Sequence, residues 1–143
     1  MEYASTVWDP HKQDQIAELE KVQRRAARIV TNRHRNTSSV GDMLDSLQWQ
    51  TLEDRRRDAR LILLYKILAG DICINCQDLK SAVCRSRRSR TAHSRQLERC
   101  ICNKDYRLNA FLPRTIRDWN SLQEHVVSAT SVDSFRQRLS ELM

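Results

Sequence analysis

Apolar residues recur at helical spacing along most of the chain, and no segment alternates apolar and polar positions convincingly. The first helical segment spans residues 10–31, with apolar positions at Ile16, Leu19, Val22, Ala26, Ile29 and Val30. At about 100° per residue these positions cluster on one side of a helix. Asp9 can act as the N-cap, and Pro10 suits the first helical position. The pattern therefore predicts a long amphipathic helix.

Two further helices are predicted before residue 70. The first covers about 39–48, and the second runs from an N-cap at Thr51, supported by Asp54, to Ala69, where Gly70 suits the C-terminal cap. Residues 61–68 are apolar almost all round, which is typical of a central helix. We therefore expect a buried core made of Leu61, Leu64, Ile67 and Leu68, together with Leu19, Val22 and Ile29.

Order is predicted to return near Phe111, after a stretch with no lasting apolar period. Pro113 can open a short helix with Ile116 and Trp119 on one side. A last helix is expected from Thr130 or Ser131, with an apolar stripe of Val132, Phe135, Leu139 and Leu142. The intervening residues, 71–110, are predicted to be a long connection or a disordered insert.

These elements predict an all-α fold, a small irregular bundle of about four to five helices with a long, disordered basic connection. The predicted organisation is a helical core at 1–70, a Cys/Arg/Ser-rich connection at 71–110, and a helical segment at 111–143 that packs on the core. The chain has 143 residues with only 2 Gly and 2 Pro, which excludes a Gly-rich phosphate loop and a many-turned β-sandwich. It has no apolar run of membrane-spanning length and no secretory segment, so we expect an intracellular protein without a membrane partner.

The net charge of +7 is concentrated in residues 81–110, which hold eight basic and two acidic residues. Candidate phosphate-binding residues lie on the back of the first helix and in this basic stretch: Lys21, Arg24, Arg25, Arg28, Arg85, Arg87, Arg88, Arg90 and Arg95. Arginine is a good forked donor to phosphate, which favours a polyanion partner. No aromatic residue occurs between 85 and 99, so contact would be to phosphates and not to bases. The alternative is that these residues are merely solvated.

Catalytic and metal-binding patterns are weak. No HExxH, GxSxG or Walker motif occurs, and no pair of aspartates suits two metals, so we expect no enzymatic activity. Cys73 and Cys76 have the C-x-x-C spacing of a zinc site, which Cys84, His93, Cys100 and Cys102 could complete. The remaining spacings match no standard zinc finger. We therefore expect independent reduced thiols, no metal and no cofactor.

Four stretches of the chain together resemble a known family. They are EYAS-x-VWDP with LEKVQRRAAR at 2–28; SSV, ML, L and W at 38–49; TLE, RRRDARL and YKI at 51–67; and F-x-PRTIRDWNSL at 111–122, followed by Val126-Val127 and Ser134-Phe135. In order and rough spacing they are similar to the segment that follows the palm in reverse transcriptases of non-LTR (LINE-type, jockey-like) retrotransposons. The resemblance covers about 1–69 and 111–139.

The resemblance implies a helical, thumb-like domain that contacts RNA or an RNA–DNA hybrid without sequence preference. The palm, with its metal-binding aspartates, and any endonuclease domain are absent, so no catalytic residue is carried over. We expect a reading frame that begins inside a decayed element. Its product would be inactive alone, belong to a nuclear or cytoplasmic ribonucleoprotein, and have the parent enzyme's palm as a protein partner. The alternative is an interaction-only or inert helical domain that does not bind nucleic acid.

Overall fold

The fold is all-α, as predicted. A computed structural model describes residues 3–32, 39–73, 93–99, 101 and 103–142, and no β-strand occurs among them. The helices in this part of the chain are α1 (Ser5–Trp8), α2 (Gln13–Val30), α3 (Val40–Ser46), α4 (Leu52–Ala69), α5 (Asp105–Leu108), α6 (Phe111–Asn120), α7 (Glu124–Val127) and α8 (Val132–Ser140). The five longer ones are the five predicted helices. Among the described residues, every helix is too short or too polar to cross a lipid bilayer.

The helix ends confirm most of the predicted capping. The Thr51 hydroxyl accepts a hydrogen bond from the Asp54 backbone N–H at 3.1 Å and donates to the Asp54 carboxylate at 2.6 Å. Gly70 follows α4 with φ of +88°, a conformation that glycine adopts without strain. The last helix, expected to start at Thr130 or Ser131, is α8, and Ser131 caps it by accepting from the Ser134 N–H at 3.1 Å. These three boundaries can be predicted from the sequence because each depends on a local hydrogen bond or a local backbone angle.

The predicted start of the first long helix is wrong. α2 begins at Gln13, and Lys12 precedes it without a side-chain capping bond. Asp9 does not cap the helix, because its carboxylate accepts a hydrogen bond from Nε of Arg56 at 2.8 Å. A charge pair with a residue distant in sequence has thus replaced the local capping role.

The chain forms two compact units, Met1–Arg56 and Arg57–Met143, each described here by itself. In the first unit α2 packs against α3. Gln23 Nε2 donates to the Gln50 carbonyl oxygen at 2.7 Å, and the Glu53 N–H donates to Glu20 Oε1 at 3.0 Å. The buried apolar side chains of this unit are Ile16, Ala27, Met43 and Leu52.

The predicted burial of two residues on α2 is wrong. Val22 is 46% exposed and Ile29 is 62% exposed, while Leu19 is half-buried. The buried side of α2 instead carries Ile16, Gln23 and Ala27. Because the amide of Gln23 and the carboxylate of Glu20 bind backbone groups near the start of α4, the inward face is rotated away from the apolar stripe.

The second unit holds the main hydrophobic core. It comprises Leu61, Leu64, Tyr65, Ile67, Leu97, Ile116, Trp119, Leu122, Val126, Val127, Ala129, Phe135 and Leu139. The predicted burial of Leu61, Leu64 and Ile67 is confirmed, while Leu68 is half-buried. Leu142, predicted in the stripe of the last helix, is 36% exposed because α8 ends at Ser140.

Candidate nucleic-acid interface

The outer face of α2 carries four of the predicted phosphate-binding residues. Lys21, Arg24 and Arg25 are exposed, and Arg28 is half-buried in the last turn. Nζ of Lys21 lies 2.5 Å from Oε1 of Glu18, and both side chains are more than half exposed. The three arginines make no ion pair within the described residues. Their guanidinium groups are therefore available to an anion.

The exposed apolar residues of α2 border this basic face. Val22 precedes Arg25 by three residues and Ile29 follows it by four, so the three side chains share one side of the helix. Both aliphatic side chains are exposed. The helix thus presents a basic surface with an apolar edge.

Of the second predicted set, the structure describes only Arg95. Arg85, Arg87, Arg88 and Arg90 lie outside the described residues. Arg95 is exposed and belongs to the second unit, whereas α2 belongs to the first.

Residues 93–97, which we call the docked segment, are held against α6 and its C-terminal end. The Leu97 N–H donates to Asn120 Oδ1 at 2.9 Å, and Asn120 Nδ2 donates back to the Leu97 carbonyl oxygen at 2.7 Å. Trp119 Nε1 donates to the Arg95 carbonyl oxygen at 2.8 Å, and His93 Nε2 lies 3.0 Å from the Trp119 carbonyl oxygen. The prediction of a disordered connection is wrong for this part of 71–110.

The docked segment was missed because its anchors follow no helical or strand period. His93 and Leu97 are both buried, and the His93 ring meets the Trp119 ring edge-on with centroids 6.1 Å apart. Two anchors in five residues give no periodic signal. The available signal in the sequence is Asn120, which follows Trp119. The side-chain amide of an asparagine can both donate to and accept from the backbone of one residue.

The carboxylate of Glu124, which was not predicted to be a site residue, also binds the docked segment. The Ser94 N–H donates to Glu124 Oε2 and the Ser94 hydroxyl donates to Glu124 Oε1, both at 2.7 Å. These two hydrogen bonds lower the pKa of Glu124, the hydroxyl bond most, and the charges of His93 and Arg95 lower that pKa further. Ser94, Arg95 and Glu124 are exposed, so solvent and ligands can reach this point.

Other charged residues of the quoted motifs have structural roles. Arg56 and Asp9 form an ion pair in which both side chains are buried. In the second unit, Nη2 of Arg60 lies 2.8 Å from Oδ2 of Asp118, which connects α4 to α6. Burial lowers the pKa of Arg60, as does the charge of Arg114, and the hydrogen bond that Arg60 donates to Asp118 opposes this lowering. These residues hold helices together and are not candidates for ligand contact.

The cysteine candidates fall mostly outside the described residues. Cys76, Cys84, Cys100 and Cys102 are not described, and Cys73 is an exposed free thiol. His93 directs Nε2 at the Trp119 carbonyl oxygen. Within the described part of the chain, no three His, Cys, Asp or Glu side chains come close enough to hold a metal.

Comparison with known proteins adds no relative: no family model, no curated protein and no solved structure matches the chain.

Proposed function

We propose that this chain is a thumb-side remnant of a non-LTR retrotransposon reverse transcriptase. In this proposal it binds RNA or an RNA–DNA hybrid without sequence preference and does not polymerise nucleotides alone. The observation that carries the proposal is the row of arginines on α2, with Arg24 and Arg25 exposed and Arg28 half-buried, that have no ion-pair partner among the described residues. The similarity of the quoted motifs to the reverse transcriptase segment supplies the identity of the polyanion.

Phosphate contact is the chemistry that suits these side chains. A guanidinium group donates in a fixed fork that matches two oxygens of one phosphate. Arg24 and Arg28 are one helical turn apart and lie about 6 Å from each other along the axis, since α2 rises about 1.5 Å per residue. Such contacts position a protein on a nucleic acid but read no sequence.

The test is a titration of a labelled RNA–DNA hybrid at several salt concentrations. Replacing Arg24 and Arg28 together by Ala should reduce the magnitude of the log–log salt slope by about 2, near 0.9 for each lost phosphate contact. The matched control is Arg107→Ala with Arg136→Ala, which removes the same charge from exposed positions on α5 and α8. Identical curves for the two double variants would contradict a phosphate-binding role for α2.

An interaction-only domain is the second candidate, and the exposure of Val22 and Ile29 favours it. In that case the apolar edge of α2 binds another protein, for which the resemblance suggests the palm of the parent enzyme. Absence of hybrid binding at 50 mM salt would favour this candidate, because phosphate contacts are strongest at low salt. Measurable hybrid binding, together with the expected smaller salt slope when Arg24 and Arg28 are replaced, would count against this candidate.

A further inference from the structure

Ser94 binds the carboxylate of Glu124 in the way that an anion-binding site binds its ligand, except that this anion belongs to the same chain. We propose that Ser94 and Arg95 form a phosphate-binding site, which the carboxylate of Glu124 fills in the free protein and which a nucleic-acid phosphate takes when Glu124 leaves. The choice of a nucleic-acid phosphate as ligand rests on the proposed function, whereas the site itself does not.

The geometry of the donors fits a phosphodiester. The backbone N–H and the hydroxyl of Ser94 each donate to a different oxygen of one carboxylate, both at 2.7 Å. A phosphodiester also carries one negative charge and offers two free oxygens. Backbone N–H groups and serine hydroxyls are common donors to nucleic-acid phosphates. The carboxylate therefore stands in for the phosphate group.

The charge around the fork favours an anion. Arg95 is exposed next to Ser94, and its charge stabilises the ionised form of Glu124. A phosphate in the same place gains the same interactions. Arg95 also carries a forked donor and makes no ion pair among the described residues, so its guanidinium group is available to a phosphate.

The donors are held in place without Glu124. C-terminal to Ser94, the Arg95 carbonyl oxygen accepts from Trp119 Nε1, and both backbone groups of Leu97 are bonded by Asn120. On the other side of Ser94, His93 Nε2 lies 3.0 Å from the Trp119 carbonyl oxygen. His93 and Leu97 are buried. Removing the Glu124 side chain therefore leaves a preorganised fork, and preorganisation lowers the entropic cost of binding. Glu124 itself is exposed at the start of α7, so its side chain borders solvent.

The first experiment probes the site with inorganic phosphate, at constant ionic strength balanced with chloride. In Glu124→Ala, the amide resonance of Ser94 should shift on addition of phosphate and reach saturation, while in the wild type and in Glu98→Ala it should not. Glu98 is an exposed carboxylate four residues from Ser94, so its variant has the same net charge. The indole N–H resonance of Trp119 reports whether the docked segment stays bound.

Two results would overturn the site. One is an unresponsive Ser94 amide in Glu124→Ala while the Trp119 indole resonance is unchanged. The other is a shift of that indole resonance to its position in unfolded protein, because Glu124 would then hold the segment in place and not block a ligand.

The second experiment tests the nucleic-acid ligand by titrating the RNA–DNA hybrid. Glu124→Ala should raise affinity more than Glu98→Ala does and increase the magnitude of the salt slope by about 0.9, one added phosphate contact. Adding Ser94→Ala should diminish that gain, a non-additivity expected of residues in contact. If phosphate binds but the hybrid gains nothing over the Glu98 control, the nucleic-acid assignment of this site is wrong. The α2 arginine variants then decide separately whether the proposed function fails.

Discussion

Asp9 and Arg56 are 47 positions apart in the sequence and meet in an ion pair with side chains 5% and 2% exposed. Burying two charges costs free energy that their attraction only partly offsets, but removing one partner leaves the other charged and buried. Loss of either side chain is therefore expected to destabilise the first unit.

Asp9→Asn should lower the free energy of unfolding by about 3–5 kcal/mol, the range for breaking a buried ion pair. Urea unfolding followed by circular dichroism measures this. Asp14→Asn is the control, since Asp14 is exposed in the first turn of α2 and removes the same charge. Equal stability of the two variants would show that the pair contributes nothing to folding.

The Glu124 carboxylate should titrate below its ordinary value of 4.5, because the Ser94 hydroxyl and N–H bind the ionised form. A pKa lowered in the folded state means that the stabilising contact is complete above 4.5. It is lost as the pH falls through the lowered pKa. The Ser94 amide resonance, followed from neutral to acid pH, should change with a midpoint below 4.5. The same midpoint in Glu124→Gln would assign the transition to another group.

At the scale of the elements, α4 determines the core of the second unit. Leu64 is fully buried, and Tyr65 stacks on Phe135 with ring centroids 4.6 Å apart. The Tyr65 hydroxyl donates to the Ala129 carbonyl oxygen at 2.8 Å, so a polar atom carried into the core has a partner.

Leu64→Ala should cost about 2–5 kcal/mol of unfolding free energy, since it removes buried methyl groups and leaves a cavity. Leu142→Ala makes the same chemical change at a position 36% exposed and should cost much less. Denaturant unfolding of both variants gives the comparison. A cost below about 0.5 kcal/mol for Leu64→Ala would contradict a central role for α4.

The contrast between α4 and α2 shows what could be predicted from sequence. The all-round apolar half of α4 has no polar alternative face, so its burial followed from composition. On α2, the hydrogen bonds of Gln23 and Glu20 to residues near the start of α4 determine which side of the helix faces inward. That side is not the apolar stripe. The docked segment was not predictable by period, and Glu124 was not predictable as a site residue, because both depend on contacts between residues 23 to 30 positions apart.

At the scale of the whole molecule, the chain has 25 basic and 18 acidic residues. Such an excess attracts any polyanion, and specificity must come from groups that reach base edges. Among the described candidates, Lys21, Arg24, Arg25 and Arg95 are long, exposed cations suited to phosphates. If it has the proposed function, the molecule should therefore bind the phosphates of a nucleic acid, whatever the nucleotide sequence.

Two RNA–DNA hybrids of equal length and unrelated sequence should then bind with affinities within about twofold of each other and with the same salt slope, because both present the same phosphates. Competition titrations at a fixed salt concentration measure the ratio, and repetition at three further concentrations measures the slope. Tyr106, an aromatic residue 75% exposed beside Arg107, is one described position from which base stacking could arise. Tyr106→Ala should leave the ratio unchanged. A preference of tenfold or more for one hybrid that disappears in this variant would mean that α5 contacts bases, and that phosphate contact alone does not account for binding.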